Sequence, residues 1–248
     1  FLFAFFEVIM ILYYIRHGDP IYDPDSLTEL GHKQAEALAK RFALYGLDEI
    51  YCSTSNRAIQ TAEPTCRKLG KEMTLVDWAN ESHAWERFTV AVPGGKREWL
   101  CVNNESVIKL NSKEVADLGD KWYQHEYFKE YDFSSAVAAV NKDVDNFFEK
   151  LGYRHDRENK RYEIIRHNDK RVALFAHAGF GMSFLSSLLD VPYSHFSTHF
   201  DLGHSSVTAI NFDERFGKYA VAKICQLSND SHLYKEGILT GYNNGIDI

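Results

Sequence analysis

The sequence predicts an α/β fold, a three-layer sandwich with a mostly parallel central sheet flanked by helices. Apolar strand-like segments alternate with helical segments through the first 80 residues, which is typical of right-handed βαβ units and a parallel sheet. A further strand, turn and helix occupy residues 171–189, and the last two strands are joined by "DERFGK". This closing pair predicts an antiparallel edge, and a helical insertion interrupts the core.

The first strand is predicted at about residues 10–15. The apolar residues 1–9 are expected to lengthen or precede it; the alternative is that the native chain starts at Met10. The apolar N-terminal stretch is too short to span a membrane comfortably. The segment 27–46 then predicts a helix, with Thr28 as its N-cap and Gly46 just past its end.

The next strand is predicted at residues 48–53, a second helix at 54–70 and a third strand at 73–78. Pro64 lies inside the second helix and is expected to bend or split it, because proline removes a backbone donor and clashes with the preceding turn.

An aromatic-rich segment, residues 82–152, is predicted to be a helical insertion, or cap, within a single domain that spans residues 1–248. Two stretches of it have helical patterns, residues 112–128 and 134–152. The segment that follows, residues 153–171, is dense in charges of both signs and is predicted to be a solvated hairpin or loop.

The composition argues against several classes of partner. The 248 residues carry a net charge of −7, with 45% hydrophobic and 25% charged residues, so no overall basic field attracts nucleic acid or an anionic membrane. The four cysteines are scattered and form no CxxC pair, which argues against a zinc site or a disulfide scaffold. We therefore expect a cytoplasmic protein without a cofactor.

Two segments, "YYIRHG" and "LFAHAG", place a histidine and then a glycine directly after an apolar strand. In an open α/β sheet, ligands bind outside the carboxyl ends of the strands. His17 and His177 are predicted at that edge, together with Arg16 and with Arg57 at the start of the second helix. Such a cationic cluster in an acidic chain favours a phosphate group, which arginine binds through two parallel hydrogen bonds.

Each of these residues has an ordinary explanation when it is taken alone. The tripeptide "RHG" occurs by chance, His177 is typical of a satisfied buried histidine, and an arginine near a helix start is usually solvated. Their coincidence at successive strand ends is what favours a site. His195 and His199 have the i,i+4 spacing of metal ligands but lack an evident third ligand, and no metal site is predicted. Asp19 and Tyr22 are candidates to line the entrance.

Five motifs in order, "RHG", "LTELGHKQAEALA", "CSTSNRAIQTA", "NES" and "FAHAG", resemble the histidine phosphatase superfamily, in the branch that contains the cofactor-dependent phosphoglycerate mutases. The resemblance covers residues 10–85 and 170–226. It implies that His17 is the nucleophile that takes up the phosphoryl group, with Glu81 of "NES" as the proton donor. It also implies that the phosphate oxygens are held by Arg16, Arg57 and His177.

The residue chemistry agrees with these implied roles. A neutral imidazole attacks phosphorus, and arginines stabilise the charge on the transferring group without a metal. An alkoxide leaving group needs a proton, which Glu81 is expected to supply as a catalytic acid before it activates water. Glu86 and Glu105 are the alternative candidates for this role.

Three functions remain open on sequence. The segment "RHGDPIYDPDSLT" lacks the longer polar and basic motif that the mutases of this superfamily carry after RHG, which favours a phosphatase acting on a small phosphorylated molecule. The aromatic residues Trp85, Phe88 and Trp99, close after Glu81, favour a substrate with an apolar or aromatic portion. The alternatives are a cofactor-dependent phosphoglycerate mutase and, in another class, a catalytically weak phospholigand-binding or regulatory module.

Overall fold

The computed structural model describes residues 9–214 and 217–241. The expectation that residues 1–9 lengthen or precede the first strand therefore falls almost wholly outside the described residues. Within them the strands are β1 (Met10–Arg16), β2 (Pro20–Tyr22), β3 (Asp25–Leu27), β4 (Glu49–Ser53), β5 (Thr74–Val76), β6 (Thr89–Val92), β7 (Lys96–Trp99), β8 (Tyr153–Asp156), β9 (Arg161–Ile164), β10 (Arg171–Ala176), β11 (Val207–Asp213) and β12 (Tyr219–Asn229).

The helices alternate with these strands over the first part of the chain. They are α1 (Glu29–Tyr45), α2 (Asn56–Leu69), α3 (Glu81–Arg87), α4 (Asn104–Leu110), α5 (Lys113–Leu118), α6 (Phe133–Leu151), α7 (Ala178–Leu189), α8 (Tyr193–His199) and α9 (Ser231–Lys235), with 3₁₀ turns at Asp77–Ala79, Gly119–Gln124 and Glu126–Phe128.

One large sheet confirms the predicted fold class. Its strand order is β5-β4-β10-β1-β11-β12-β9-β8, and β5, β4, β10 and β1 are parallel. The remaining neighbours are antiparallel, so the antiparallel side is wider than the closing hairpin alone. The carboxyl ends of β1, β10 and β4 consequently meet at one edge.

The central strands are buried on both faces, which explains the nearly continuous apolar run of β1. Side chains alternate along a strand, so Tyr13 and Ile15 face α1 and α2, where they pack near Phe42. Tyr14 points to the other face, where its ring stacks on Phe184 of α7 at 5.4 Å between centroids. The helices on the two faces supply the outer layers of the sandwich.

The first two helices are observed where they were predicted. The effect of Pro64 on the second helix differs from the prediction. The Thr28 hydroxyl caps α1 by accepting from the backbone N–H of Gly31, and Gly46 ends the helix with φ 73°. Pro64 was expected to bend or split the second helix, and the split is wrong, because α2 runs as one element from Asn56 to Leu69. Pro64 is buried, and the packing of that face offsets the loss of one backbone hydrogen bond.

The aromatic segment 82–152 is less helical than predicted. A helix over 112–128 is wrong: α5 ends at Leu118 because Gly119 has a φ of 54°, and two 3₁₀ turns follow. The predicted helix at 134–152 is observed as α6. Buried aromatic residues of the segment, such as Trp122, belong to the same hydrophobic cluster as β1 and α7. Its role as a cap stays a prediction.

The charged segment after α6 forms the predicted hairpin, β8–β9, and contains a buried charge network. The His155 side chain is fully buried, with Nδ1 3.0 Å from Asp145 Oδ1 and Nε2 2.8 Å from Asp190 Oδ2. Burial favours a lower pKa for His155, but its bonds to the two carboxylates outweigh burial and raise the pKa above its ordinary value. The imidazolium therefore ties the hairpin to α6 and to the end of α7.

We expect His155→Gln to lower the free energy of unfolding by roughly 2–3 kcal/mol at pH 5.5, because Asp145 and Asp190 lose one of the two cations that contact them and keep only Arg157. The folded pKa of His155 is raised, so this contribution is present below the unfolded pKa and is lost as pH rises through the folded value. Urea unfolding from pH 5.5 to 9.5 checks it, with exposed His32→Gln as control. A stability difference that stays constant with pH would contradict the prediction.

Candidate active site

Two neighbouring parallel strands end at the same edge of the sheet, and each is followed by a histidine. β1 ends at Arg16 and β10 at Ala176, and these two residues are partners in the ladder. The backbone N–H of His17 donates to the Ala176 carbonyl over 2.9 Å, which extends the pairing into the turn. The rings of His17 and His177 consequently lie 5.2 Å apart between centroids.

His17 is held as a neutral base. Its side chain is buried, and Nδ1 lies 2.7 Å from the Gly18 carbonyl oxygen, which can only accept. Nδ1 therefore carries the proton, which leaves the lone pair on Nε2. Burial, followed by the charges of His177 and Arg16, lowers the pKa of His17 well below its ordinary value. A neutral imidazole with a lone pair on Nε2 is what attack on phosphorus requires.

Arg16 is buried at the end of β1 and is oriented by the loop before β11. Its guanidinium donates to the Leu202 carbonyl and lies 2.7 Å from His204 Nε2. Burial and the charge of Arg16 lower the pKa of His204 to about 4, so this ring is neutral and its Nε2 accepts from the guanidinium. Nδ1 of His204 is then the protonated nitrogen, and it faces Asp19 Oδ1 at 3.6 Å.

Arg57, in the first turn of α2, is bonded to two carboxylates. Its Nη1 lies 2.7 Å from Asp25 Oδ1, and its Nη2 lies 3.0 Å from Glu81 Oε2. Asp25 also accepts from the backbone N–H of Asn56 over 2.7 Å, so the β2–β3 hairpin fixes the start of the helix. The guanidinium carbon lies 5.3 Å from the centre of the Tyr22 ring. Arg57 is thus oriented towards the same edge as the two histidines.

His177 lies between β4 and Glu81. Its Nε2 is 2.8 Å from Ser53 Oγ, at the end of β4, and its Nδ1 is 3.7 Å from Glu81 Oε2. Within the described part of the chain, the buried Nδ1 has no hydrogen-bond partner. Burial and two nearby arginines lower the pKa of His177 well below its ordinary value. The ring is therefore neutral and offers one unused nitrogen to the site.

Glu81 is the first residue of α3, placed there by the N-cap Asn80. Its Oε1 accepts from the backbone N–H of Gly179 over 2.9 Å. Glu81, His17 and His177 each offer an atom within 4.8 Å of the others, a spacing that a metal ion could also use. The nearby guanidinium groups repel a cation and favour an anion at this position.

Arg16, His17 and Glu81 border a cavity of about 380 Å³, a size typical of a small-molecule site, whereas Arg57 and His177 lie outside its lining. Its polar end contains Arg16, His17 and Glu81. The lining residues are Arg16, His17, Tyr22, Glu81, Trp99, Cys101, Val102, Ala178, Gly179, Met182, Ser197, Phe200 and Asp201.

The structure brings the five principal predicted residues to one edge of the sheet, and their roles stay predictions. These residues are Arg16, His17, Arg57, Glu81 and His177. The alternatives Glu86 and Glu105 are exposed and do not line the cavity. Tyr22, a candidate for the entrance, lines it, whereas Asp19 does not.

His195 and His199 lie one turn apart on α8, with ring centroids 6.5 Å apart. Neither contributes to the one cluster of three possible metal ligands that was found among the described residues.

Three contributors were missed by the sequence reasoning: Ser53, Asp25 and His204. Ser53 ends β4 at the same edge, so the strand-end rule was sufficient to find it. Asp25 depends on the β2–β3 hairpin. His204 precedes β11, which is antiparallel to β1, so the start of β11 lies beside the end of β1. No local pattern indicates that pairing.

The sequence model described as "Histidine phosphatase superfamily (branch 1)" matches residues 12–91, which include His17, Arg57 and Glu81. Over these residues the chain is similar to the histidine phosphatase superfamily. No curated protein matches this chain.

Solved structures have the same fold as this chain. A phosphoserine phosphatase from Entamoeba histolytica, in complex with 3-phosphoglyceric acid, is 18% identical, with a TM-score of 0.57 and coverage of 90% of this chain and 99% of that one. A mycobacterial glucosyl-3-phosphoglycerate phosphatase with inorganic phosphate is 16% identical, with a TM-score of 0.51 and coverage of 90% and 98%. At these identities the likeness shows the fold.

Proposed function

We propose that this protein hydrolyses small phosphomonoesters through a phosphohistidine intermediate on His17. The observation that carries the proposal is the neutral His17 ring, fixed by Gly18, at the end of a cavity that also contains Arg16 and Glu81. The activities named for the similar structures, on phosphoserine and on glucosyl-3-phosphoglycerate, support a small phosphorylated substrate.

The residues divide the reaction into two steps. Arg16, Arg57 and His177 hold the phosphoryl oxygens while Nε2 of His17 attacks phosphorus and the bond to the ester oxygen breaks. Glu81 gives its proton to the leaving alkoxide. Water then attacks the phosphohistidine, Glu81 takes the proton from this water, and the P–N bond breaks to release inorganic phosphate.

Arg57 is bonded to Glu81 before substrate binds, and we expect this pair to separate. The guanidinium turns to the phosphate, to which it can form two parallel hydrogen bonds. The Glu81 carboxyl group, released from the guanidinium, is then available to act as the acid of the first step. Asp25 keeps the other side of Arg57 in place.

We expect turnover to survive EDTA, because arginines rather than a metal supply the positive charge. A panel of phosphomonoesters, with released inorganic phosphate as readout, tests the proposal, and vanadate should inhibit as an analogue of five-coordinate phosphorus. Loss of activity in EDTA that magnesium or zinc restores would mean that His17, Glu81 and His177 bind a metal instead.

Two other outcomes of this panel would point to the alternative functions. Rapid interconversion of 2- and 3-phosphoglycerate with little phosphate release would identify a mutase. Tight binding of phosphate esters by a folded protein that turns none of them over would identify a binding module.

The proposal also covers the partners, the cofactor requirement and the location of the protein. No helix in residues 9–214 and 217–241 has the length and apolar character needed to cross a membrane. The absence of nucleic acid and membrane partners, the absence of a cofactor and a cytoplasmic location remain part of the proposal, and they rest on the charge and cysteine pattern.

A further inference from the structure

The cavity has two chemically different ends. Its polar end holds Arg16, His17 and Glu81, which take part in the proposed phosphoryl transfer. The wall beyond Glu81 is apolar, and its side chains are Trp99, Val102, Met182 and Phe200. The leaving group of a bound ester must lie on the side of the catalytic acid, so it extends along this wall.

Trp99 fixes the inner part of the wall. Its indole covers Gly179 so closely that a Cβ atom on this glycine would lie 2.4 Å from the ring. The ring of Trp85 packs against its other side, with centroids 5.0 Å apart in a T-shaped arrangement. The N–H of Gly179 donates to Glu81, so the rigid apolar surface begins directly beside the acid. A preorganised surface of this kind binds without an ordering cost.

Val102 and Phe200 form the more exposed part of the wall, at 66% and 44%. Isolated exposed apolar side chains are ordinary on a protein surface. These two line the same cavity as Trp99 and Met182, and apolar side chains grouped beside a polar centre favour a ligand-binding groove.

The charges at the cavity select against an anionic leaving group. Among the described residues that line it, Arg16 supplies the positive charge, and Arg16 lies at the phosphoryl end. Glu81 and Asp201 supply negative charge. A carboxylate on the leaving group, as in a phosphoglycerate, would meet these two groups and no further lysine or arginine in the lining.

We propose that the preferred substrates are phosphate monoesters of apolar alcohols, with an uncharged alkyl or aryl leaving group against the wall of Trp99, Val102, Met182 and Phe200. This inference rests on the proposed phosphatase function.

The test is a series of n-alkyl phosphates from ethyl to hexyl, measured as kcat/KM for release of inorganic phosphate. Burial of each added methylene on the wall should raise kcat/KM by roughly threefold until the wall is covered. The double variant V102S/F200S should lose most of this dependence on chain length. Val221→Ser, a change of an exposed apolar residue outside the cavity, should keep it.

Inhibition by n-alkyl phosphonates gives a second measurement that does not depend on turnover. Their inhibition constants should fall with chain length in the native protein and in the Val221→Ser control. In the double variant the inhibition constants should change little with chain length. Circular dichroism establishes that the variants are folded.

Two results would overturn the inference in different ways. Native protein that cleaves ethyl and hexyl phosphate equally well, or that prefers phosphoserine or 3-phosphoglycerate to hexyl phosphate, would overturn the substrate class and leave the phosphatase function standing. Failure of the folded protein to release phosphate from any ester would overturn the proposed function, and this inference with it.

Discussion

His17→Ala should abolish the phosphoenzyme and lower turnover of phosphomonoesters by roughly 10⁴-fold or more. The ring that it removes is buried and neutral, and Gly18 holds its Nδ1–H so that the lone pair lies on Nε2. Without the nucleophile, water must attack an intact ester directly.

The phosphoenzyme can be trapped by rapid quenching after mixing with a labelled ester. The label should be labile in acid and stable in base, which is the behaviour of a phosphoramidate and the opposite of a phosphoserine. His32→Ala, a change of an exposed histidine on α1, is the matched control and should keep both label and turnover. Label of the same stability in the His17→Ala variant would assign the nucleophile to another residue.

Part of the site could be predicted from local sequence patterns alone. A strand end next to a histidine is visible in "YYIRHG" and in "LFAHAG", and a parallel sheet brings such ends together. Arg57 follows the same rule, because it opens the helix after β4. Glu81 was placed by family resemblance, since its position depends on where α3 starts relative to the sheet.

The parts of the site that were missed depend on pairing between distant segments. His204 reaches Arg16 because β11 runs antiparallel beside β1, and these residues are 188 positions apart in the chain. Asp25 reaches Arg57 through a three-residue hairpin strand that has no apolar pattern of its own. Hydrophobic periodicity reports which face of a segment is buried, but it does not report its neighbour in the sheet.

The observed fold differs from the predicted one for the same reason, because periodicity does not report how distant segments pair and pack. The charged hairpin β8–β9 was predicted as a local unit, whereas it joins the sheet through β12 and extends its antiparallel side. In the segment 112–128, helix-forming residues continue past Leu118, yet Gly119 adopts a positive φ and the chain turns. The aromatic side chains that follow pack into the core, and this packing overrides the helical propensity.

Glu81→Gln should separate two kinds of ester. We expect turnover of an alkyl phosphate to fall by roughly 100-fold or more, because its alkoxide leaving group needs the proton that the amide cannot give. A p-nitrophenyl ester should lose much less while breakdown of the phosphohistidine is not rate-limiting, since its leaving group departs without a proton. The amide oxygen can still accept from Gly179, so the start of α3 and the wall beside it should keep their places.

Glu86→Gln, an exposed change on the same helix, is the control and should leave both esters unaffected. Single-turnover measurements separate formation of the phosphoenzyme from its breakdown. Loss of Glu81 as the acid slows formation only for the alkyl ester, whereas loss of Glu81 as the base slows breakdown for both esters. Equal loss of phosphoenzyme formation on the two esters would remove Glu81 as the acid. The pairing of Arg57 with Glu81 would then serve only to orient the arginine towards phosphate.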